Sequence, residues 1–531
     1  MTKLVWFLVI ISFLGVLTCS FLTRIKNRMV PSPYATYASL IPHSYRIGFT
    51  NLDKEISINE LALQGTIPAW LSGTLLRNGP AKFSTATSYV SNWFDGLAMI
   101  HAFSFDQGKV SYINKFLKTN DYQHMQKTGN MNYQGFLQDP CKSIFKKFFT
   151  LLIPNSMKEE SLPNANVNIT RYADRFVALT ETPLPIEFDA QTLETVGGLW
   201  YADQLPHRDI QDTAHPHYDT VLKEHIGYYT TFGPTSSVHL FSIKQGSITR
   251  NEIASMTVKE PSYMHSFAIT ERYAILSMIP LVAKPLDFLL KQQAFIKNFA
   301  WKPELGTKFV VIDRIKNIIV GSYLTDSFFA FHHVNAFERD DSIIIDIITY
   351  PDAKIIFEAD MINLLAGHTN LAQTIQETKL IRFTIDLVKE NVTRYSISDT
   401  LIELPTINPS HNGKEYRYMY AIGQQHKNYT PYVSDMLVKI NVQSGEIKQW
   451  SQPGCHPGEP VFIVSPDAQH EDDGVIVSVV LDINKETSFL LVLDAQTFIE
   501  LGRAEVPHHI PYGIHGTYVA NNNQKVLDQQ L

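Results

Sequence analysis

Past residue 40 the chain shows few helical periods. Apolar and polar positions alternate over short runs broken by Asp, Asn and Gly, the pattern of β-strands joined by tight turns. One unit recurs: an apolar residue, any residue, a second apolar residue, then Asp, Asn or Lys opening a turn. It reads Phe103-Ser-Phe-Asp106, Ile186-Glu-Phe-Asp189, Phe241-Ser-Ile-Lys244, Val310-Val-Ile-Asp313, Phe383-Thr-Ile-Asp386, Val438-Lys-Ile-Asn441 and Leu491-Val-Leu-Asp494. Each copy is followed within a few residues by another β-prone run. Alternation on both sides of a polar turn predicts a hairpin.

The seven turn residues lie 53 to 83 positions apart, so the chain carries seven similar units. Radial repetition is one way for an all-β chain to avoid sticky sheet edges. A seven-bladed β-propeller with enlarged blades fits the count; a large β-sandwich or two stacked β domains is the alternative. No Pro/Ser linker divides residues 40–531, which predicts one catalytic domain.

Three stretches interrupt the pattern. Leu4 to Leu22 runs nineteen residues without a charge, about long enough to span a bilayer as a helix, so residues 1–30 form an N-terminal hydrophobic anchor or a signal segment. Lys3 precedes it and Arg24, Lys26 and Arg28 follow it. That bias favours an uncleaved, membrane-associated anchor with a cytosolic catalytic domain. Delivery to the secretory-pathway lumen after signal cleavage is the rival, with Thr18 and Ser20 at the −3 and −1 positions. The sequons at Asn168, Asn391 and Asn428 lean toward that rival. The second interruption, near residues 116–163, contains Cys141-Lys-Ser-Ile-Phe-Lys-Lys-Phe-Phe, basic and aromatic enough to lie on a membrane surface. The third, residues 281–300, is apolar and basic with helical character. An amphipathic helix packed on its own protein is an equal reading for both.

Composition narrows the chemistry. With 44% hydrophobic and 18% charged residues the chain buries a large core and is not disordered. A net charge of −7 leaves no basic field for nucleic acid. Three cysteines exclude a disulfide framework or a thiolate zinc site, whereas nineteen histidines direct a metal search toward imidazole and carboxylate.

Four histidines stand in short, distinctive contexts: His215 in Thr-Ala-His-Pro-His, His265 in Ser-Tyr-Met-His-Ser-Phe, His332 in Phe-His-His-Val-Asn-Ala and His515 in Tyr-Gly-Ile-His-Gly-Thr. Taken singly, such histidines are more often core or surface residues than ligands. Their placement changes that. Counted from the preceding turn residue they fall 26, 21, 19 and 21 positions on, about where each unit's next strand begins. Glu403 and Glu459 fall at offsets of 17 and 18 in two further units, and Glu181 lies just before the second hairpin. Each unit thus offers one candidate, and the innermost strands of a propeller bring equivalent positions together. His217 and His333 read as structural; His101, His456, His508 and His509 have no comparable context.

Four neutral imidazoles bind a divalent first-row metal without neutralising it. Zinc is satisfied by four ligands, while an octahedral Fe(2+) keeps two positions for O2 and substrate or solvent. Three carboxylates then suit an outer ring, each accepting an imidazole N–H and fixing its tautomer.

These residues resemble the carotenoid cleavage oxygenase family, which includes animal β-carotene oxygenases and the retinal-pigment-epithelium isomerohydrolase. The matching segments are Gly73-Thr-Leu-Leu-Arg-Asn-Gly-Pro80, Trp93-Phe-Asp-Gly-Leu-Ala-Met-Ile-His101, Leu179-Thr-Glu-Thr182 and the four histidine contexts. To these add Ile402-Glu-Leu-Pro-Thr-Ile-Asn408, Gly458-Glu-Pro-Val-Phe462 and Glu471-Asp-Asp-Gly474. The resemblance runs from about residue 44 to 518. It implies non-haem Fe(II) on the axis of a seven-bladed propeller, with His215, His265, His332 and His515 as ligands and Glu181, Glu403 and Glu459 as their partners. It also implies a loop-and-helix cap enclosing an apolar tunnel, and contact with a membrane surface that supplies lipid substrate. Cys141 matches the family's membrane-contacting segment and is a candidate for S-palmitoylation.

The resulting expectation is an oxygenase that cleaves a polyene double bond of a carotenoid or apocarotenoid with O2, giving two carbonyl products. No side chain beyond the metal site need act catalytically. Retinyl-ester isomerohydrolysis, with the same iron as Lewis acid, is the second enzyme reading. A metal-stabilised propeller that binds lipid without turnover is the third.

Overall fold

A computed structural model of the chain describes residue 34 and residues 43–521, apart from 132–161, 206–209, 234, 285–294, 358, 367–377 and 426–431. Seven antiparallel sheets of four to six strands follow one another along the chain, each a blade of a seven-bladed β-propeller, and a small two-stranded sheet is added to them. Every predicted turn residue from Asp106 to Asp494 sits where a blade's third strand ends and its fourth begins, as in the pair Thr487–Asp494 and Glu500–Val506. The sequence unit is therefore the outer hairpin of a blade.

Strict alternation is confined to strands with a free face. Ser342–Thr349 (SIIIDIIT) is a second strand, covered on both sides by neighbouring blades, and it is buried almost throughout. The outermost strand of the same blade, Asn391–Ser398, is largely exposed. Apolar clusters fill the gaps between adjacent blades. One joins Phe103 and Tyr112 of blade 1 to Val475 and Leu490 of blade 7, and another joins Ile344 and Leu380 of blade 5 to Met419 and Val438 of blade 6.

The ring closes at both ends of the chain. Ala62–Gly65 pairs with Glu500–Val506 on the outside of blade 7. Gly516–Ala520 pairs with Gly73–Lys82 and becomes the innermost strand of blade 1. Innermost strands touch in ring order from blade 4 through blades 5, 6, 7 and 1 to blade 2. His515 immediately precedes the closing strand, so closure itself sets its position.

Helix is scarce among the described residues: Asn120–Thr128, Lys354–Phe357 and Met361–Ala366, with short 3-10 turns. No described helix is long and apolar enough to cross a membrane, and the apolar run Leu4 to Leu22 lies outside the described residues, as does Cys141. The helical expectation for residues 281–300 does not hold where that stretch is described. Its ends form a two-stranded sheet, Leu281–Ala283 against Phe299–Trp301, preceded by a 3-10 turn at Phe295–Asn298. Leu281, Ala283 and Phe299 are all buried, so local β pairing over an apolar base overrides the amphipathic period.

Candidate metal centre

Each blade sends one of the seven predicted residues to the axis. His265, His332 and His515 directly precede or closely approach the innermost strands Ala268–Ile269, His333–Arg339 and Gly516–Ala520. His215 lies between Ile210–Asp212 and His217–Asp219, two short segments that share the innermost place in blade 3. Pro216 follows His215, has no N–H to donate, and stands where this strand is broken. Glu403 lies in Ile402–Ile407, and Glu459 between Cys455–Pro457 and Val461–Val464. Glu181 is placed differently: it follows Arg175–Leu179, the second strand of blade 2, and reaches the axis from that strand's end.

The four imidazoles face a common point. Ligand-capable atoms of His215, His265, His332 and His515 all lie within 4.8 Å of one another, with His332 and His515 buried and the other two half-buried. The Nε2 atoms of His215 and His265 are 3.0 Å apart, and those of His332 and His515 are 3.2 Å apart. The opposite ring nitrogens meet carboxylates: His265 Nδ1 donates to Glu181, His332 Nδ1 to Glu403 and His515 Nδ1 to Glu459, each at 2.6 Å. A proton on Nδ1 leaves Nε2 as a bare lone pair. At least three lone pairs thus converge on one small volume, an arrangement that a shared cation relieves. The span also fits, since two metal–imidazole bonds of roughly 2.0–2.1 Å place opposed nitrogens about 4 Å apart. The donor set fits a divalent first-row metal ion.

A further layer, not foreseen from the sequence, holds the carboxylates. Glu181 accepts hydrogen bonds from the Tyr263 hydroxyl at 2.8 Å and the Gln211 amide at 3.0 Å. Glu403 accepts from the Tyr350 hydroxyl at 2.6 Å and from the Leu404 N–H at 2.9 Å. Glu459 pairs with Arg77, which also donates to the Ile514 carbonyl, and accepts from the Gly516 N–H at 3.2 Å. One signal was available. Tyr263 stands two residues before His265, the spacing that puts two side chains on one face of an extended segment. Tyr350 and Gln211 carry no such mark.

Burial pushes the Glu403 carboxyl up, but the His332 ring, the Tyr350 hydroxyl and the Leu404 N–H outweigh it and hold it below the ordinary range. For Glu459 the same burial is outweighed by His515 and Arg77. Burial drives the His515 imidazole down to about 4 in spite of Glu459, and drives His215 well below the usual imidazole value with help from the neighbouring histidines. Both therefore present neutral rings at pH 7. No carboxylate accepts from His215 among the described residues. Its backbone N–H is held by Thr213 Oγ1 at 3.0 Å, and the preceding Ala214 carbonyl by Asn168 Nδ2 at 2.9 Å.

His217 and His333 turn away. His217 bonds Asn412 and the Phe267 carbonyl, each at 3.0 Å, and His333 bonds Ser266 at 2.8 Å and Ser277 at 2.7 Å. His333 faces opposite to His332 as strand alternation requires, and His217 is turned from its neighbour where Pro216 breaks the strand.

The centre forms one wall of a cavity whose empty volume, about 1010 Å³, includes space open to solvent. Trp93, Phe94, Phe331, Ile355, Ile356 and Tyr432 supply much of its apolar lining. The roof comes from the turn Trp93–Asp95, the short helix Lys354–Phe357 and Tyr432, so the described part of the cap is more loop than helix. Its described lining contains no Asp, Lys, Arg or Cys, and its carboxylates are Glu181 and Glu403, both committed to histidines.

Comparison with known proteins places this geometry. The family model described as retinal pigment epithelial membrane protein (RPE65) matches residues 49–520. A mitochondrial carotenoid-cleaving dioxygenase of Mustela putorius furo is 31% identical, covering 88% of this chain and 95% of that protein. A beta,beta-carotene 15,15'-dioxygenase of Gallus gallus is 32% identical over 87% of this chain and 95% of its own length. Among solved structures, an ACO/RPE65 chimera superposes with a TM-score of 0.78 at 26% identity, covering 90% of this chain and 98% of the chimera. Cobalt-substituted Synechocystis ACO superposes with the same score at 27% identity and the same coverage.

Proposed function

The chain belongs to the RPE65/carotenoid oxygenase family, and we propose that it is a dioxygenase cleaving a polyene C=C bond of a carotenoid or apocarotenoid to two carbonyl products. The observation that carries this reading is the four-imidazole cluster, three of whose rings line a largely apolar cavity whose two carboxylates are already bonded to histidines. His215, His265, His332 and His515 are the ligands we assign to Fe(2+), with Glu181, Glu403 and Glu459 fixing the orientation and tautomer of three of them. When bound, Fe(2+) with four neutral nitrogen ligands retains two positions and supplies the activation of O2.

The protein's own contribution is placement. The aromatic and aliphatic walls bury a long hydrocarbon and exclude water, and how far it threads past Phe331 and Tyr432 decides which bond lies beside the metal. The Glu181, Glu403 and Glu459 carboxylates are already hydrogen-bonded and act through the histidines, so they transfer no proton to substrate. The ligand set alone serves ester isomerohydrolysis equally well; the two matched relatives are carotenoid-cleaving enzymes of nearly the same length. A membrane surface as the source of substrate, and the N-terminal run as its anchor, belong to the same proposal.

Purified iron-loaded protein incubated with β-carotene and a panel of apocarotenoids, under air and under argon, tests the reading. Oxygen-dependent appearance of aldehyde products is expected. Release of retinol from an ester at equal rates under both gases would overturn it in favour of isomerohydrolysis, and absence of any turnover with iron bound would favour a lipid-binding propeller.

A further inference from the structure

A second, smaller space lies beside the metal-facing cavity, between blades 1 and 7, with a cavity volume of about 30 Å³. Val479, Leu481, Ile510, Pro511 and Tyr512 make most of its walls, beside Arg77 and His101. Several polar ends on these walls are engaged elsewhere, while the Asn78 side-chain oxygen has no hydrogen-bond partner among the described residues. Arg77 is turned to Glu459 and the Ile514 carbonyl, His101 Nδ1 to the Tyr112 hydroxyl at 2.8 Å, and His456 Nδ1 to the Ser434 carbonyl at 2.7 Å.

Gly458, Tyr512 and Gly513 line both this chamber and the metal-facing cavity. Neither glycine has a positive φ, so neither is required by its backbone conformation. What each supplies is a missing side chain. A Cβ at Gly513 would meet nothing nearer than the Asn78 carbonyl at 3.4 Å, and one at Gly458 nothing nearer than the Val479 carbonyl at 3.2 Å. The partition is backbone only at those two points.

We propose that this chamber holds dioxygen and passes it to the metal centre across Gly458 and Gly513 while the polyene occupies the main cavity. The proposal rests on the dioxygenase reading. A hydrocarbon long enough to fill the main cavity closes that approach to a second reactant. O2 is a small apolar molecule, and enclosed apolar cavities stay dry and take up apolar guests such as xenon. A separate, mostly hydrocarbon space that adjoins the metal-facing cavity at Gly458 and Gly513 meets that need.

Xenon-pressurised crystals of the iron-loaded protein, with and without a bound apocarotenoid, provide the first test. Xenon density between Val479 and Leu481 is expected in both. A chamber filled instead by water hydrogen-bonded to His101 Nε2, with xenon excluded, overturns the proposal. The second test is kinetic. Val479→Phe, which fills the chamber, is expected to raise KM for O2 at least threefold while KM for the carotenoid and iron content stay within twofold of wild type. Gly513→Ala, for which there is room, is expected to raise KM for O2 in the same sense and carries the test if Val479→Phe fails to fold. An unchanged KM for O2 in a folded, iron-loaded variant refutes the route. Xenon occupancy is read without turnover, so a wild type that takes up xenon but cleaves no carotenoid removes the enzymatic reading and the dioxygen role together, whereas cleavage without xenon uptake removes the chamber alone.

Discussion

Replacing Glu403 by glutamine isolates the contribution of one carboxylate charge to metal retention. Glu403 Oε2 accepts two hydrogen bonds, from His332 Nδ1 and the Leu404 N–H, while Oε1 accepts one, from Tyr350. A glutamine keeps the two-bond side by placing its carbonyl there and turning its NH2 toward Tyr350, whose hydroxyl can accept instead of donate. Geometry survives and charge is lost. The His332 bond then falls from a charge-assisted value of roughly 1.5–3 kcal/mol to a neutral one of roughly 0.5–1.5. Loss of a carboxylate behind a metal-bound imidazole weakens binding about 10–100-fold, or roughly 1.4–2.8 kcal/mol, and the fall of about 1–1.5 kcal/mol in this one bond meets the lower end of that range. Competition with a chelator at pH 7.5 measures this directly, with circular dichroism as the control for folding. Glu403→Ala is expected to do worse on both counts, because it strands the His332 Nδ1–H and the Tyr350 hydroxyl, at about 1–3 kcal/mol each. Iron affinity within twofold of wild type in folded Glu403→Gln would refute the assignment of this carboxylate as a tuning group.

Three further outcomes are expected. Arg77→Met removes the cation that orients Glu459 and is expected to lower iron affinity several-fold through His515, read by the same chelator competition; an Arg77→Lys variant should recover part of it. Burial raises the Asp212 carboxyl from 3.8 to about 7 even with Arg250 nearby. An acid that holds its proton longer when folded costs stability as pH rises between those two values. Asp212→Asn, which keeps the acceptor for the Thr213 N–H, is therefore expected to raise Tm at pH 8 and leave it nearly unchanged at pH 4, checked by thermal unfolding at both. Asn391 is exposed at the start of an outer strand, whereas Asn168 lies in an innermost strand with its amide on the Ala214 carbonyl. With the catalytic domain in the cytosol, endoglycosidase leaves the expressed protein's mass unchanged; a shift abolished by Asn391→Gln would instead place the domain in the lumen.

The hairpins were legible because five of the seven outer turns carry a residue that caps its own backbone. Asp189, Asp313, Asp386, Asn441 and Asp494 all accept backbone N–H groups two or three positions on. That chemistry is local and survives in a one-dimensional reading. The axial histidines were legible for a related reason: each precedes or interrupts an innermost strand at a roughly constant distance from its turn. Tyr350, Gln211 and Arg77 were not, because their roles exist only across blades. Tyr350 closes the strand before a short helix in blade 5 and reaches Glu403 in blade 6, and Arg77 in blade 1 reaches Glu459 in blade 7. The described ends of residues 281–300 departed from expectation for the opposite reason. Their apolar spacing is helical, but Leu281 and Phe299 are buried against blade 4 and its neighbours, and tertiary packing decides.

Placing one residue from each blade on a common point has a consequence for the whole ring. The set runs from Glu181 to His515, and His515 is held in place by the strand that closes the propeller. A ligand that binds the closed ring and not the open one stabilises closure by mass action, roughly 2.7 kcal/mol at a hundredfold excess over Kd. The same linkage works in reverse. The converging imidazoles and the Glu403 and Glu459 carboxylates are an electrostatic burden on the ring without a cation, since three carboxylates and four imidazoles then share a small volume. The hydrogen bonds from Tyr263, Tyr350 and Arg77 offset part of that burden before any ion arrives. These outer groups therefore serve two ends at once: they hold the apo ring closed enough to receive a metal, and they keep each carboxylate aimed at its histidine afterwards. Local changes in that outer layer should be felt as metal affinity before they are felt as fold, because the interblade clusters between blades 7 and 1 and between blades 5 and 6 contain none of Tyr263, Tyr350, Gln211 or Arg77.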